Sequence, residues 1–357
     1  MSGTDALPPI VRHSDLSPPK RMPGFVWLDG TELGSDGFRA LCVRALELRA
    51  GAAPRMCHRR RIVSVFLNPS LRTRTSLEAA AWDLGMQPIV LSPGTDAWKL
   101  EWRPGAKMDG PYAEHFADAI PVLAEYADVL ALRSFAGLES AEEDRADPVL
   151  SSFVRYSPKP VINLESAKWH PLQALADAST WMQHLGPDLR GRRIALTWAP
   201  HPRALPAAVP NQLVLSAALM GMDMTVAHPP GFDLDPEIVE RARGIAGQAG
   251  GSLRITDDPD DAMRDAVVVH AKSWSGWSNY GRREQEATER AGHSRWTLDA
   301  ARFAKAAPDA GFMHCLPVRR NVVVTDEVID GPRSWTVETG GLRRWTAAAL
   351  LEKMLAS

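Results

Sequence analysis

The sequence has few cysteines, almost no net charge and no long apolar run, and each shortage excludes a class of protein. Its three cysteines, Cys42, Cys57 and Cys315, fit neither a disulfide framework nor a zinc knuckle, and an odd count is typical of a reducing cytosol. A net charge of -2 argues against a general nucleic-acid binder. No stretch approaches the ~20 apolar residues of a membrane span, and the N-terminus lacks the order of a signal peptide. We therefore expect a cytoplasmic protein that binds neither nucleic acid nor membrane.

The chain of 357 residues is long enough for two domains, at about 150 residues each. Residues 1–24 carry five prolines among polar residues and no apolar period, which predicts a flexible tail. From Phe25 onward, short apolar runs alternate with segments of helical spacing. The predicted strands are 62–67, 88–91, 129–132, 161–164, 194–198, 224–227, 267–271 and 311–314, and the predicted helices are 35–50, 74–84, 115–126, 171–186, 212–220, 237–249, 298–305 and 345–355.

This alternation predicts an α/β fold with two doubly wound parallel-sheet domains joined by interdomain helices. We place the first domain at residues 25–168 and the second at 169–340. Residues 341–357 are expected to form a C-terminal helix that packs back on the first domain. Because open sheets of this kind bind ligands beyond the carboxyl ends of their strands, the residues after each strand are the candidates for a site.

A Ser-Leu-Arg-Thr-Arg run, residues 70–74, follows the first buried strand. A helix that begins within it offers unpaired N–H groups to an anion. Ser70 and Thr73 add hydroxyl groups, and the guanidinium groups of Arg72 and Arg74 match phosphate oxygens. The simpler alternative is a capped helix with solvent-facing arginines. The complete run directly after a buried strand favours a phosphate site.

These residues resemble the carbamoyl-phosphate signature of the aspartate and ornithine carbamoyltransferases. Three further motifs follow in the order that the family shows: Arg133 after the third strand, His170-Pro171-Leu172-Gln173 at the interdomain helix, and His314-Cys315-Leu316-Pro317. Five segments are most similar to the N-acylornithine branch, whose members carbamoylate N-acetyl- or N-succinyl-L-ornithine in arginine synthesis. These segments are residues 96–101, 108–110, 197–202, 271–274 and 314–320.

The resemblance implies that the side-chain amine of the acceptor attacks the carbonyl of carbamoyl phosphate and that phosphate leaves. Thr73, Arg133 and His170 would donate hydrogen bonds to the carbonyl oxygen, and Cys315 would orient the amine. The implied ligands of carbamoyl phosphate are Ser70, Leu71, Arg72, Thr73, Arg74, Trp98, Arg133, His170, Gln173, Cys315, Leu316 and Arg343. Taken singly, Arg133 also fits a surface ion pair, His170 a helix cap, and Cys315 and Trp98 simple packing. No metal and no cofactor is implied.

The matching positions for the acylornithine are Ala113, Glu165, His201, Pro202, Lys272 and Arg319. Enzymes that act on free ornithine carry an aspartate before a Ser-Met-Gly segment, where this chain has Ala271-Lys272-Ser273-Trp274. A lysine repels an α-ammonium group, so Lys272 suits a substrate whose α-amine is acylated. The alternative is a solvated lysine at a strand end.

Ala113 bears on the acyl group. The acetyl-specific branch has a glutamate there, which would repel the extra carboxylate of a succinyl group, whereas the succinyl branch has a small apolar residue. Ala113, Leu205-Pro206 and Val323 therefore favour N-succinyl-L-ornithine. An alignment shifted by one residue would place Glu114 at this position and favour N-acetyl-L-ornithine.

The resemblance also implies a homotrimer in which Trp98 reaches a neighbouring subunit, and a knotted proline-rich loop at residues 200–210. Rival interpretations are a carbamoyltransferase for another amine, a nucleotide-dependent dehydrogenase and a catalytically silent regulator. Lys272 argues against the first rival, and the lack of G-x-G-x-x-G after a strand argues against the second. The complete set of motif residues argues against the third.

Overall fold

The computed structural model of the protein describes residues 24–355, so the predicted tail lies outside the described residues except for Gly24. The first half contains strands β1 (Val26–Trp27), β2 (Arg61–Phe66), β3 (Gln87–Leu91), β4 (Leu100–Glu101), β5 (Glu114–His115), β6 (Val129–Arg133) and β7 (Val161–Glu165). Its helices are α1 (Gly34–Arg49), α2 (Arg72–Asp83), α3 (Phe116–Glu125), α4 (Ala141–Ala146), α5 (Pro148–Tyr156) and α6 (Pro171–Leu185).

The second half repeats the alternation. Its strands are β8 (Arg193–Trp198), β9 (Asp223–Ala227), β10 (Ser252–Thr256), β11 (Val268–Lys272) and β12 (Gly311–Met313). Its helices are α7 (Ala208–Leu219), α8 (Pro236–Ala249), α9 (Pro259–Met263), α10 (Arg283–Ala291), α11 (Ala300–Phe303), α12 (Asp326–Ile329) and α13 (Thr336–Leu355). Short 3-10 turns occupy Thr31–Leu33, Trp277–Asn279 and Ser294–Trp296.

Two parallel five-stranded sheets organise these elements. The first has the order β1-β7-β6-β2-β3 and the second β10-β9-β8-β11-β12, and β4 pairs only with β5. Along β2, Ile62 and Phe66 pack in the larger core with α1, α2 and α13, whereas Val63 and Val65 pack on α3 and α5. Because side chains alternate along a strand, this pattern shows that helices cover both faces of the first sheet. The predicted α/β class with parallel sheets is confirmed.

Helices α6 and α13 lie at the centre of the molecule. All residues of α6 from Pro171 to Met182 are buried, and the helix contacts α1, α7 and α13. Helix α13 packs on α1 and α2 as well as on α6. It begins at Thr336, nine residues before the predicted start at 345. The prediction was late because Gly340 and Gly341 lower the local helix propensity, but tertiary packing holds the segment helical.

Other boundaries also differ from the prediction. Helix α7 begins at Ala208 rather than at 212, with Pro210 in its first turn, where proline removes no helical hydrogen bond. Helix α11 covers only Ala300–Phe303 of the predicted 298–305. The charged segments that form α4 and α10 were not predicted because they show no apolar period. The knot stays a prediction.

Candidate active site

The site begins where the central strands of the first sheet end. The register places Phe66 of β2 beside Arg133 of β6, and Arg133 beside Glu165 of β7. The pairing of β6 with β7 shifts at Leu132/Arg133, an irregularity of the kind that re-aims side chains near functional sites. The residues that follow β2, β6 and β7 therefore lie at the same edge of the sheet.

The segment at the start of helix α2 supplies two hydroxyl groups, those of Ser70 and Thr73, to this edge of the sheet. The hydroxyl oxygen of Ser70 accepts a hydrogen bond from the backbone N–H of Thr73 at 3.2 Å, as a helix N-cap does. Ser70 lies one residue before the N-cap residue Leu71, and its hydrogen bond ties the start of the helix to Thr73, which is 1% exposed. The predicted start of the helix at Arg74 was therefore two residues late.

Thr73 is the centre of a buried polar cluster. Its Oγ1 accepts hydrogen bonds from Nη2 of Arg343 at 2.6 Å and from Nη1 of Arg133 at 3.3 Å. A guanidinium group only donates, so the oxygen serves as acceptor in both bonds. The hydroxyl hydrogen of Thr73 is consequently left to donate to a third group.

Arg133 and His170 share a carboxylate. Nη1 of Arg133 donates to Oε2 of Glu165, and Nε2 of His170 lies 3.3 Å from the same oxygen. Burial raises the pKa of Glu165 above its ordinary value, and the charges of Arg133, Arg343 and Lys272 offset only part of this rise. Burial, followed by the charges of Arg343 and Arg133, holds the pKa of His170 well below its ordinary value. His170 is therefore a neutral imidazole at neutral pH.

Gln173 connects α6 with α13. Its Oε1 accepts a hydrogen bond from Nη1 of Arg343 at 3.2 Å, and its Nε2 donates to Oδ1 of Asp177 at 2.9 Å. Both Gln173 and Asp177 are 2% exposed. Asp177 was missed by the sequence analysis, although its position four residues after Gln173 places the two on one face of a helix.

Several buried donors of this cluster have no hydrogen-bond partner among the described residues. They are the Nε atoms of Arg72, Arg133 and Arg343, and Nδ1 of His170 is likewise without a partner. Burial lowers the pKa of Arg72 and brings that of Arg343 to about 10. Buried polar groups nearly always have partners, so unpaired cationic N–H groups at one place point to an anionic ligand.

The segment after β12 closes the cluster from the second half of the chain. Burial raises the pKa of the Cys315 thiol, and the charges of Lys272 and Arg72 oppose that shift. Cys315 is therefore a neutral thiol close to both cations. The next residue, Leu316, has a left-handed backbone with φ of 48°, and its N–H donates to Nδ1 of His314 at 2.9 Å.

The predicted acceptor residues lie around the end of β11. Lys272 is the last residue of that strand, and its Nζ donates to the carbonyl of Ser273 at 3.3 Å. Burial lowers the pKa of His201, and the charges of Lys272 and Arg319 lower it further. The charge of Lys272 also lowers the pKa of Glu165, against the effect of burial. Pro202 and Arg319 are exposed.

Four predicted residues lie on the surface of the chain, away from the buried cluster. Leu71 is 73% exposed, and Arg74 pairs with Glu78 at 3.1 Å. Trp98 is 62% exposed and donates from Nε1 to Glu114 at 2.7 Å. Ala113 is exposed too.

Two family models together match most of the chain. The carbamoyl-phosphate-binding domain of the aspartate/ornithine carbamoyltransferases matches residues 27–183, and their Asp/Orn-binding domain matches residues 206–354. The chain belongs to the aspartate/ornithine carbamoyltransferase family. It is thus a carbamoyltransferase, and the family predicted from the motifs is confirmed.

Named relatives place it in the N-acylornithine branch of that family. The N-acetylornithine carbamoyltransferase of Xanthomonas campestris pv. campestris is 40% identical over 82% of this chain and 87% of that protein. The N-succinylornithine carbamoyltransferase of Bacteroides fragilis is 38% identical over the same shares of the two chains. An ornithine carbamoyltransferase of Methanoculleus marisnigri is 33% identical over 92% of this chain and 95% of that protein.

Solved structures of the same branch share the fold. Acetylornithine transcarbamylase complexed with acetylcitrulline superposes with a TM-score of 0.89 at 37% identity, covering 93% of this chain and 99% of that one. A variant of N-acetyl-L-ornithine transcarbamylase with one glutamate replaced by alanine, complexed with carbamyl phosphate and N-succinyl-L-norvaline, gives 0.89 at 38% identity, covering 92% and 99%. Within residues 24–355, no helix is both long enough and apolar enough to span a bilayer.

Proposed function

We propose that this carbamoyltransferase transfers the carbamoyl group of carbamoyl phosphate to the side-chain amine of N-succinyl-L-ornithine, as a step of arginine synthesis. The products are N-succinyl-L-citrulline and phosphate. The observation that supports this transfer is the buried cluster of Thr73, Arg133, His170 and Arg343. Its unpaired N–H groups suit an anionic substrate such as carbamoyl phosphate.

Carbamoyl phosphate binds, in this proposal, at the N-terminus of α2. Arg72 and Arg343 bind the phosphate oxygens, together with the N–H groups of the first helical turn. The carbonyl oxygen of the ligand accepts hydrogen bonds from Thr73 and Arg133, and from neutral His170 in the tautomer that carries its one N–H on Nδ1, the nitrogen without a partner among the described residues. Gln173 and the backbone carbonyl of Leu316 accept hydrogen bonds from the carbamoyl NH₂ group.

The chemistry then needs no group beyond these donors. The neutral side-chain amine attacks the carbonyl carbon, a C–N bond forms, and negative charge develops on the carbonyl oxygen. As the C–O bond to phosphate breaks, the departing phosphate takes the proton that the amine releases. Fixed donors that are buried stabilise such a charge more strongly than water does, because they need no reorganisation. Holding both reactants in place contributes further.

Lys272 is the proposed partner of the acceptor carboxylate. It lies at the end of β11, with His201 and Arg319 nearby, so this part of the site is cationic. A free α-ammonium group would be repelled there, whereas an acylated α-nitrogen carries no charge. The pocket therefore favours an N-acylornithine over ornithine.

Ala113 is the argument for a succinyl group. Structures of N-acetyl-L-ornithine transcarbamylase with one glutamate replaced by alanine, proline, valine or serine are complexed with N-succinyl-L-norvaline. A small residue in place of that glutamate is thus compatible with a succinyl ligand in a relative. By the motif resemblance, Ala113 of this chain occupies the matching place.

N-acetyl-L-ornithine is the second candidate substrate. The relatives with 40% and 41% identity are named N-acetylornithine carbamoyltransferases, and of two relatives at 38% one is named for the succinyl form and one for the acetyl form. These identities differ too little to separate the two acyl groups, so direct measurement decides.

Trp98 and Ala113 support a shared site between subunits of a trimer. The N–H of Ala113 donates to the carbonyl of Lys99 at 3.1 Å, and Trp98 donates to Glu114, so both residues belong to one exposed unit. We propose that this unit completes the site of a neighbouring subunit in a homotrimer. Sedimentation equilibrium tests the assembly, and a monomer that is fully active would contradict it.

The proposed reaction is tested by a colorimetric ureido assay with carbamoyl phosphate and four amines: N-succinyl-L-ornithine, N-acetyl-L-ornithine, L-ornithine and L-aspartate. We expect the highest kcat/KM with N-succinyl-L-ornithine and no turnover of free ornithine. Preferred turnover of the acetyl substrate would transfer the assignment to the second candidate. Strong turnover of ornithine would contradict the role given to Lys272.

Replacing Ala113 with glutamate is expected to shift the kcat/KM ratio toward the acetyl substrate. A like charge beside the succinyl carboxylate costs ~1–3 kcal/mol in a partly buried site, which predicts a loss of about 10- to 100-fold for that substrate alone. Ala106→Glu, a control in the same segment, should leave the ratio unchanged. If Ala113→Glu also left it unchanged, Ala113 would not line the acyl pocket.

A further inference from the structure

Asp177 is a buried carboxylate for which the proposed chemistry has given no role. It lies on α6, is 2% exposed, and has Gln173 as its only side-chain hydrogen-bond partner among the described residues. No lysine or arginine pairs with it within salt-bridge distance in that part of the chain. Keeping a carboxylate inside a protein without a paired cation is costly, so its position calls for an explanation.

The chemistry of its neighbours fixes the orientation of Gln173. An ionised carboxylate only accepts hydrogen bonds, so the NH₂ group of the Gln173 amide must face Asp177. A guanidinium group only donates, so the amide oxygen must face Arg343. The two groups act from opposite sides, on α6 and α13, and both require the same orientation.

We propose that Asp177 is a positioning residue that holds the Gln173 amide oxygen toward the donor substrate and thereby selects a carbamoyl group over an acyl group of the same shape. This inference rests on the proposed function. Carbamoyl phosphate and acetyl phosphate differ in one respect: an NH₂ group of the first is replaced by a methyl group in the second. The amide oxygen of Gln173 can accept a hydrogen bond from the NH₂ group of carbamoyl phosphate. A rotated amide would present its own NH₂ group, which forms a hydrogen bond with neither the NH₂ group nor the methyl group.

Protonation of Asp177 gives the selection a pH dependence. Burial raises the pKa of Asp177 to about 7, against the opposing effects of the Gln173 hydrogen bond and the charge of Arg343. Two ionisable groups, Cys315 and Arg343, interact electrostatically with Asp177. Burial raises the pKa of Cys315 above its ordinary value, and the pKa of Arg343 is about 10. Neither group titrates between pH 6 and pH 8. Below pH 7 the protonated carboxyl group can donate to Gln173 as well as accept from it, so only Arg343 still favours one orientation of the amide and the selection weakens.

The test measures one ratio, the inhibition constant of acetyl phosphate divided by the KM of carbamoyl phosphate. For the unaltered enzyme we expect this ratio to rise with pH between 6 and 8. Titration of the phosphate affects both ligands and cancels. Asp177→Asn presents either a donor or an acceptor to Gln173, so it should raise the KM of carbamoyl phosphate ~10-fold and change the inhibition constant less than twofold. Its ratio should not vary with pH.

Three further variants exclude a merely structural effect. Ser179→Ala removes another buried hydroxyl group of α6, outside the cluster, and should leave the ratio unchanged. Gln173→Leu should lose the selection, and adding Asp177→Asn to it should lower the ratio no further, because Asp177 acts through Gln173. Asp177→Ser replaces Asp177→Asn if the latter fails to fold.

An equal change in both constants, or no change in either, would overturn the proposal, and so would a further loss in the double variant. Failure of the proposed function looks different. In that case the unaltered enzyme would carbamoylate none of the four amines, whatever the ratio measured for its variants.

Discussion

Replacing Thr73 with valine is expected to lower kcat by about 10²–10³-fold, the usual cost of losing one donor to a developing oxyanion. Valine has nearly the shape of threonine, so the packing of α2 against the core is kept. The hydroxyl oxygen of Thr73 already accepts hydrogen bonds from Arg133 and Arg343, which leaves its hydrogen free for the carbonyl oxygen of the ligand. Steady-state kinetics at saturating concentrations of both substrates measure the effect.

Thr180→Val provides a matched control for this experiment. Thr180 is a fully buried threonine whose hydroxyl oxygen lies 2.8 Å from the carbonyl oxygen of Ala176 and 3.0 Å from the hydroxyl oxygen of Thr339, outside the cluster. Thr180→Val should lose ~1 kcal/mol of stability for one buried hydrogen bond, and Thr73→Val should lose ~1–3 kcal/mol because it leaves donors of Arg133 and Arg343 without their acceptor, but only Thr73→Val should lose kcat. Equal kinetics in the two variants would show that Thr73 is structural.

The strands and the polar residues that follow them could be predicted from the sequence because both signals are local. A β-branched run such as residues 62–66 is recognised by composition, and the Ser70–Arg74 run is recognised by its position directly after it. Parallel strands then bring their carboxyl ends together by topology alone. This reasoning made Arg133 a candidate, and the structure places Arg133 beside Thr73, whereas the role of His170 in the same site was implied by the family resemblance.

The partners within the cluster could not be predicted in the same way. The hydrogen bond between Arg343 and Thr73 joins residues 270 positions apart, and it depends on α13 returning across α1, α2 and α6. Gly340 and Gly341 also obscured the N-terminal part of this helix, which begins at Thr336, before the predicted C-terminal helix. The family resemblance supplied Arg343 as a candidate, and only the fold shows what it contacts.

Helix α10 illustrates a different limit. Its sequence is rich in charge and shows no apolar face, yet Glu286 and Arg290 are buried and paired with each other. Nη1 of Arg290 donates to Oγ of Ser273 at 2.6 Å, and Ser273 is the residue directly after Lys272. A buried ion pair looks like an exposed one in sequence, because the low dielectric environment that distinguishes them comes from distant residues. The domain boundaries stay a prediction.

Replacing Lys272 with methionine is expected to raise the KM of N-succinyl-L-ornithine by ~10- to 100-fold, the worth of one charge-assisted hydrogen bond to a substrate carboxylate. Methionine keeps the length and the apolar stem of lysine. The KM of carbamoyl phosphate should change by less than about threefold, because Lys272 is not among the residues proposed to bind that ligand. Initial rates with each substrate varied in turn separate the two constants.

The same variant also tests how free ornithine is excluded. If the charge of Lys272 repels the α-ammonium group, removing it should raise the kcat/KM of ornithine relative to that of the acylated substrate, even though the latter falls. Lys305→Met serves as the control, since Lys305 is a lysine of the same half of the chain that pairs with Asp260. A loss of equal size for both amines would mean that Lys272 only supports the fold of the pocket. A ratio that moves toward ornithine would show that selection in this enzyme depends on repulsion as well as on attraction.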